Sequence, residues 1–288
     1  MYNPAVKFPA LDPGKMLATD DAVDWSIPID DTAFHFHPEY LSLYGTPQWN
    51  AMSEKERFAY SRHEAVAFYR TGTWFENILI HGLMHHLYDL PANDPLHRFL
   101  YLEASEECRH CAMFGEFARH AGTPPYLPSR RVLFMGKILK HTGSKIVYHL
   151  AILGGEEIAD AYDRATSRGE NIHPVSKQMA KLHVIDETRH MAFVKTYLAE
   201  LWPALGPVAK AYARWYMPIT LFTMVDAMVN RQVYRTLGIK DGYSAAWRNP
   251  HRRERIRQAL AGYTGFLTRL GVITPMTRPV WRALGLLA

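Results

Sequence analysis

The segment from His183 to His190, reading HVIDETRH, carries an imidazole at each end and a carboxylate, Glu187, between them. In an α-helix each residue advances about 100°, so positions i, i+4 and i+7 share a stripe roughly 60° wide. His183, Glu187 and His190 have that spacing. The same face continues through Met179, Ala180, Met191 and Val194, so it points into a core. Burying three such groups without partners would cost on the order of several kcal/mol. A bound metal ion is the obvious compensation, because imidazole and carboxylate are good ligands for first-row metals and no thiolate is needed.

Glu-x-x-His occurs three times, where a chain with fifteen histidines should show roughly one by chance. Glu170 to His173 abuts Pro174 between two helices, and we take it as the chance match. Glu107 with His110 and Glu187 with His190 both fall mid-helix on stripes flanked by apolar residues. For the first pair these are Leu100, Ala104, Cys111 and Phe114. Two helices each giving Glu-x-x-His, with a lone glutamate from each of two others, is the scheme that holds two carboxylate-bridged irons inside a four-helix bundle.

Glu76 supplies one lone glutamate, centred on the stripe of Tyr69, Thr73, Leu79, Ile80 and Leu83. Glu156 and Glu157 compete for the other. Glu156 shares its face with Ile152, Leu153 and Asp160, and Glu157 shares its face with Leu150 and Ala161, so periodicity leaves both open. Four carboxylates neutralise two divalent ions, and a neutral cluster can be buried. Outside the ligands, Glu106 and Asp186 each precede a glutamate of the pair and could accept the free ring N–H of a histidine on the opposite helix. Arg109 and Arg189 stand in matching places to pair with those acids, and Asp160 lies a turn beyond Glu156. EECRH against DETRH is a pseudo-twofold match.

The elements that must position these groups are helical. Ser53 and Glu56 form a capping box, and the helical pattern that follows runs to Pro91 with Gly72 as a possible kink. A further helix starts at Asn93 or Asp94 with Pro95 in its first turn and stops at Gly122. Residues 131–166 read as two helices or one interrupted one, given Gly143, Gly154 and Gly155. The helix carrying His183 runs from near Pro174 to Pro203, and an apolar one follows from Pro207 to Leu237. A basic helix and a short terminal one finish the chain. No strand-period alternation of any length appears, so the fold class is an all-α bundle.

The chain has 288 residues, at the upper end of what one domain usually holds, and we read a single domain: an arm over residues 1–50, a bundle over 51–237 and C-terminal helices over 238–288. The arm is rich in Pro and aromatics and is expected to lie over the core. The longest weakly charged run, Trp215 to Val225, is too short to span a bilayer, and the start of the chain lacks the features of a signal peptide. The default is a cytoplasmic protein with no membrane partner. Cys108 and Cys111 sit mid-helix without the further ligands a zinc site needs, and are read as two buried thiols. The net charge of +5 is concentrated in Arg248 to Gln258, read as a solvated helix face with no nucleic-acid recognition motif beside it.

The order Glu, Glu-x-x-His, Glu, His-x3-Glu-x2-His resembles that of the AurF-type p-aminobenzoate N-oxygenases, di-iron proteins of the ferritin-like superfamily. In that family a third histidine completes one iron. Carried onto this sequence, the resemblance implies the ligand set Glu76, Glu107, His110, Glu156, His183, Glu187 and His190. The interval to the extra histidine favours Glu156 over its neighbour. It implies a ferritin-like bundle, two Fe ions as cofactor, O2 as co-substrate and an external electron donor, a ferredoxin or flavoprotein. The activity implied is oxygen transfer to an amine nitrogen from a peroxo-diferric species, giving a hydroxylamine, nitroso or nitro product. An aryl or heteroaryl amine is the expected substrate, in a biosynthetic pathway. Tyr69, Arg70, Thr73, Tyr162 and Phe193, near the ligand stripes, are candidates to line its pocket, and a homodimer is the expected assembly.

Three other functions fit parts of this pattern. A C–H hydroxylase or desaturase would use the same cluster without needing His183. A ferroxidase would assemble into cages. A DNA-binding protein would use the basic helix and show salt-dependent binding.

Overall fold

A computed structural model describes residues 22–288. Residues 1–21, which include the beginning of the expected arm and the start of the chain read as lacking signal-peptide features, lie outside the described residues. Twelve α-helices follow in the described part: α1 (Pro47–Ala51), α2 (Glu54–Tyr88), α3 (Pro95–His120), α4 (Arg130–Thr142), α5 (Lys145–Arg168), α6 (Pro174–Ala204), α7 (Pro207–Ala227), α8 (Arg231–Thr236), α9 (Gly242–Arg248), α10 (Pro250–Ala259), α11 (Ala261–Leu270) and α12 (Arg278–Ala283). Extended pairing among the described residues is a single bridge between Phe34 and Ile172. The fold is an all-α, ferritin-like bundle. No described helix is long and apolar enough to cross a membrane.

Local chemistry sets the helix ends. Ser53 and Glu56 form the reciprocal capping box, with the Ser53 N–H donating to Glu56 Oε2 at 2.8 Å. Asp94 caps α3 by accepting from the Leu96 N–H at 2.8 Å. Gly72 does not interrupt α2. Between α4 and α5 the chain breaks at Gly143, whereas α5 runs on through Gly154 and Gly155. Those two glycines serve packing: a Cβ on them would come within 2.9 Å of Leu221 and 2.8 Å of Met224, so their absence of side chain lets α7 lie close. The apolar helix expected to reach Leu237 stops at Ala227, because Asn230 accepts from the Gln232 N–H and starts α8.

The bundle consists of α2, α3, α5 and α6. Helices α2 and α3 form one hairpin and α5 and α6 the other. Gly82 packs on Tyr148 and Tyr69 bonds Asp163, so α2 and α5 run antiparallel. His190 reaches Glu106 and His110 reaches Asp186, so α3 and α6 do too. Helix α4 is the return connection between the hairpins.

Two apolar clusters fill the bundle. One takes Leu79, Leu83, Leu100, Leu153 and Leu198, and the other Tyr69, Phe114, Phe117, Met179 and Leu182. The polar residues singled out on α2, α3 and α6 fall between the two, as a charged layer sandwiched by hydrocarbon.

The described part of the arm crosses the second cluster, with Phe36, Leu41 and Leu43 buried. His35 is held by Ser176 Oγ and the Asp30 carbonyl, both at 2.8 Å. The basic helix α10 departs from a wholly solvated face. Arg252 is buried and donates to the Val225 carbonyl at 2.9 Å, Arg255 pairs with Glu39, and Arg257 pairs with Glu254. A guanidinium spent on a helix C-terminus inside the protein is not available to a nucleic acid.

Candidate metal centre

Seven buried side chains converge in the charged layer: Glu76 from α2, Glu107 and His110 from α3, Glu156 from α5, and His183, Glu187 and His190 from α6. Glu107 and Glu187 lie at the middle. Glu107 sets one oxygen 2.9 Å from His110 Nδ1 and the other 2.9 Å from His190 Nδ1. Glu187 sets one oxygen 3.3 Å from His110 Nδ1 and 3.6 Å from His183 Nε2, and the other 3.2 Å from His190 Nδ1. Each carboxylate thus spans two positions, one flanked by His110 and His183 and the other by His190. Two groups of buried donors, His110 with His183 and Glu187, and Glu103 with Glu107 and His190, each lie within 4.8 Å and are able to hold a metal ion.

The imidazoles are oriented from outside. His110 Nε2 faces Asp186 at 3.2 Å, His190 Nε2 faces Glu106 at 2.7 Å, and His183 Nδ1 faces Asp163 at 2.8 Å. A carboxylate only accepts, so in each ring the nitrogen facing the acid carries the proton. That turns His110 Nδ1, His190 Nδ1 and His183 Nε2 inward, where each could give a lone pair to a metal ion in place of a proton, the arrangement of a ligating histidine fixed by an outer carboxylate. Arg189 donates to Glu106 at 2.8 Å and Asp186 at 2.5 Å, tying the two acids together, and Arg109 lies 3.5 Å from Glu106.

The donor set fits two cations. Glu76 Oε2, Glu156 Oε2 and His183 Nε2 are buried without a hydrogen-bond partner. Burial pushes Glu76 and Glu156 well above the ordinary carboxylate range, and the neighbouring carboxylates push the same way. Burial acts upward on Glu107 as well, but His190 and His110 beside it prevail and hold it below its ordinary value. Burial would lower His110 and His190, yet the surrounding carboxylates raise both well above the usual imidazole value. Positive charge is what this layer is built to hold, and two divalent ions would supply it without protons.

Glu156 and Glu157 separate cleanly here. Glu156 turns inward among Glu76, Glu107 and Glu187, while Glu157 pairs with Lys195 at 2.5 Å. Asp160, expected beside the cluster, instead pairs with Arg164 at 2.5 Å. The acid at His183 is Asp163, which also accepts from the Tyr69 hydroxyl at 3.1 Å. Its signal was present, since Asp163 follows Glu156 by seven residues and returns to the same stripe. Glu103 was also missed. It lies one turn before Glu107, fully buried, and burial raises its carboxyl to about 8. Neither cysteine is buried: Cys108 is exposed, because one residue after the inward Glu107 the helix has turned by about 100°, and Cys111 is half-buried; both are free. His173 of the third Glu-x-x-His stands at the start of α6 and bonds the Pro28 carbonyl.

A cavity opens from the cluster toward α4 and α7. Glu76, Glu156 and His183 form its polar end, and its walls include Trp74, Phe75, Leu79, Phe114, Ile152 and Met224. Of the five pocket candidates only Tyr69 lines it among the described residues. Arg70 lies about 100° round the helix from Tyr69. Thr73 turns its hydroxyl back to the Tyr69 carbonyl, Tyr162 stacks on Phe68, and Phe193 stacks on Phe99.

The family model described as p-aminobenzoate N-oxygenase AurF matches residues 14–271. Uncharacterized proteins of Mycobacterium tuberculosis and Mycobacterium bovis are each 25% identical over 280 residues, spanning 92% of this chain and 77% of theirs.

Proposed function

Because the chain belongs to the AurF family of p-aminobenzoate N-oxygenases, we propose that it is a di-iron N-oxygenase acting on an uncharged, apolar aryl or heteroaryl amine. The observation that carries this reading is the run of one cavity from Glu76, Glu156 and His183 into walls that hold no lysine or arginine among the described residues. Burying a substrate carboxylate there without a partner would cost on the order of several kcal/mol.

Glu76, Glu107, His110, Glu156, His183, Glu187 and His190 would hold the two irons. When bound, reduced iron supplies the electrons and open positions for O2 chemistry. The chain does the rest. Phe75, Phe114, Leu79 and Ile152 exclude water and grip an aromatic ring, leaving the amine nitrogen to face the polar end. An arylamine suits such a site because its nitrogen is uncharged near neutral pH. Asp163, Asp186 and Glu106 keep the three imidazoles from rotating while the substrate exchanges. The first oxidation balances as amine, O2, two electrons and two protons giving hydroxylamine and water. A ferredoxin or flavoprotein is the proposed electron source.

The test is to load the protein with iron, reduce it, admit O2 and analyse products by mass spectrometry with two matched arylamines, one neutral and one bearing a carboxylate. The expected outcome is oxygen added at nitrogen, with kcat/KM at least tenfold higher for the neutral amine. Oxygen found on carbon, or no product from any amine, would refute the assignment.

A further inference from the structure

Helix α3 repeats the donor spacing of α6 more fully than the seven-ligand set uses. His183, Glu187 and His190 stand at i, i+4 and i+7, and so do Glu103, Glu107 and His110. The helices run antiparallel, so the repeat places Glu103 beside His190 and His183 beside His110, related by the same pseudo-twofold axis that relates Glu107 to Glu187. The two groups of donors show this directly: His110 with His183 and Glu187 on one side, His190 with Glu103 and Glu107 on the other.

Glu103 has no other occupation. It is fully buried, and neither of its oxygens has a hydrogen-bond partner. No arginine or lysine pairs with it among the ion pairs of the described residues, whereas its neighbour Glu106 is engaged by His190, Arg189 and Arg109. Glutamate in such a place costs stability unless something positive meets it. It does not line the cavity, so a substrate does not meet it.

We infer that Glu103 is an eighth ligand, a carboxylate that completes the metal position formed by His190, Glu107 and Glu187, as His183 completes the other. This rests on the di-metal reading above. The centre would then be unsymmetrical in chemistry though symmetrical in placement: an imidazole closes the ion nearer the cavity, and an anionic oxygen closes the ion on the sealed side. Anionic oxygen stabilises the higher charge of an oxidised ion better than imidazole does, so the sealed ion would be the harder to reduce.

The test compares wild type, Glu103→Gln and Glu103→Asp, each loaded anaerobically with two equivalents of ⁵⁷Fe(II) and read by competitive chelation and Mössbauer spectroscopy, with circular dichroism as a check on folding. Wild type should hold two ions in two distinguishable environments. In Glu103→Gln one ion should be held at least tenfold more weakly and its signal should shift, while the other keeps its wild-type parameters. Glu103→Asp, which keeps the charge on a shorter arm, should recover part of the affinity. Unchanged affinity and spectra in Glu103→Gln would show Glu103 to be a buried acid with no metal role. Failure of wild type to take up iron would instead overturn the metal centre as a whole.

Discussion

Glu107 and Glu187 face each other across the seam between α3 and α6, each with one oxygen directed to each half of the charged layer. On the di-metal reading neither would belong to one metal position alone. Their removal and that of a one-sided residue should therefore differ in kind.

Glu187→Ala should reduce the iron retained after chelator dialysis to below one ion per chain, whereas His183→Ala should leave close to one. Elemental analysis of the purified variants checks this, and equal losses from both would contradict the shared role of Glu187.

Asp163 touches no proposed ligand atom directly, acting through the far nitrogen of His183. Asp163→Asn should preserve the fold but weaken one metal ion ten- to a hundredfold, the usual cost of losing an outer carboxylate. Tyr69→Phe, which removes only the hydroxyl bond to Asp163, should cost less. Titration against a competing chelator ranks the two variants.

Three buried imidazoles outside the centre set an acid limit on stability. Burial holds His35 and His149 down to about 4 and His86 down to about 3. In the unfolded chain all three protonate near pH 6.5, so below that pH the unfolded state binds more protons. Their contribution is complete above pH 6.5 and is lost as pH falls toward 4. Replacing His149 by Phe should therefore shrink the stability difference between pH 7 and pH 5 by about 2 kcal/mol. Urea unfolding at the two pH values, wild type against variant, measures it, because other titrating groups cancel in the difference.

Gly136 on α4 meets Trp74 of α2 so closely that an added Cβ would lie 2.2 Å from the indole. Both residues line the cavity. Gly136→Ala should cost about 1–3 kcal/mol of stability and drive the indole into the substrate space, raising KM for a bulky amine more than for a small one. Thermal melts and a two-substrate kinetic comparison check both parts.

The helices and the inward glutamates and histidines were legible because a helical stripe makes a buried charge conspicuous from spacing alone. Glu103 has the same spacing, but Leu100 and Ala104 on its stripe read as ordinary core, and the local likeness of EECRH to DETRH begins only at Glu106. Asp160 and Asp163 both lie near the stripe of Glu156, and only packing against α2 and α6 shows that Asp163 is the acid at His183. The pocket was hidden for a different reason. Its far wall comes from α4 and α7, distant in sequence from every ligand, and no local periodicity tells where a crossover helix will come to rest.

The donors divide between the two hairpins, with Glu76, Glu103, Glu107 and His110 on the first and Glu156, His183, Glu187 and His190 on the second. During synthesis the first half emerges with its acids facing nothing, and the two positions are not both complete until residue 190 has left the ribosome. Iron uptake would then come late in assembly and act as a clasp on a bundle already closed, so that scarcity of the metal would show itself first as loosened hairpins and only afterwards as lost turnover.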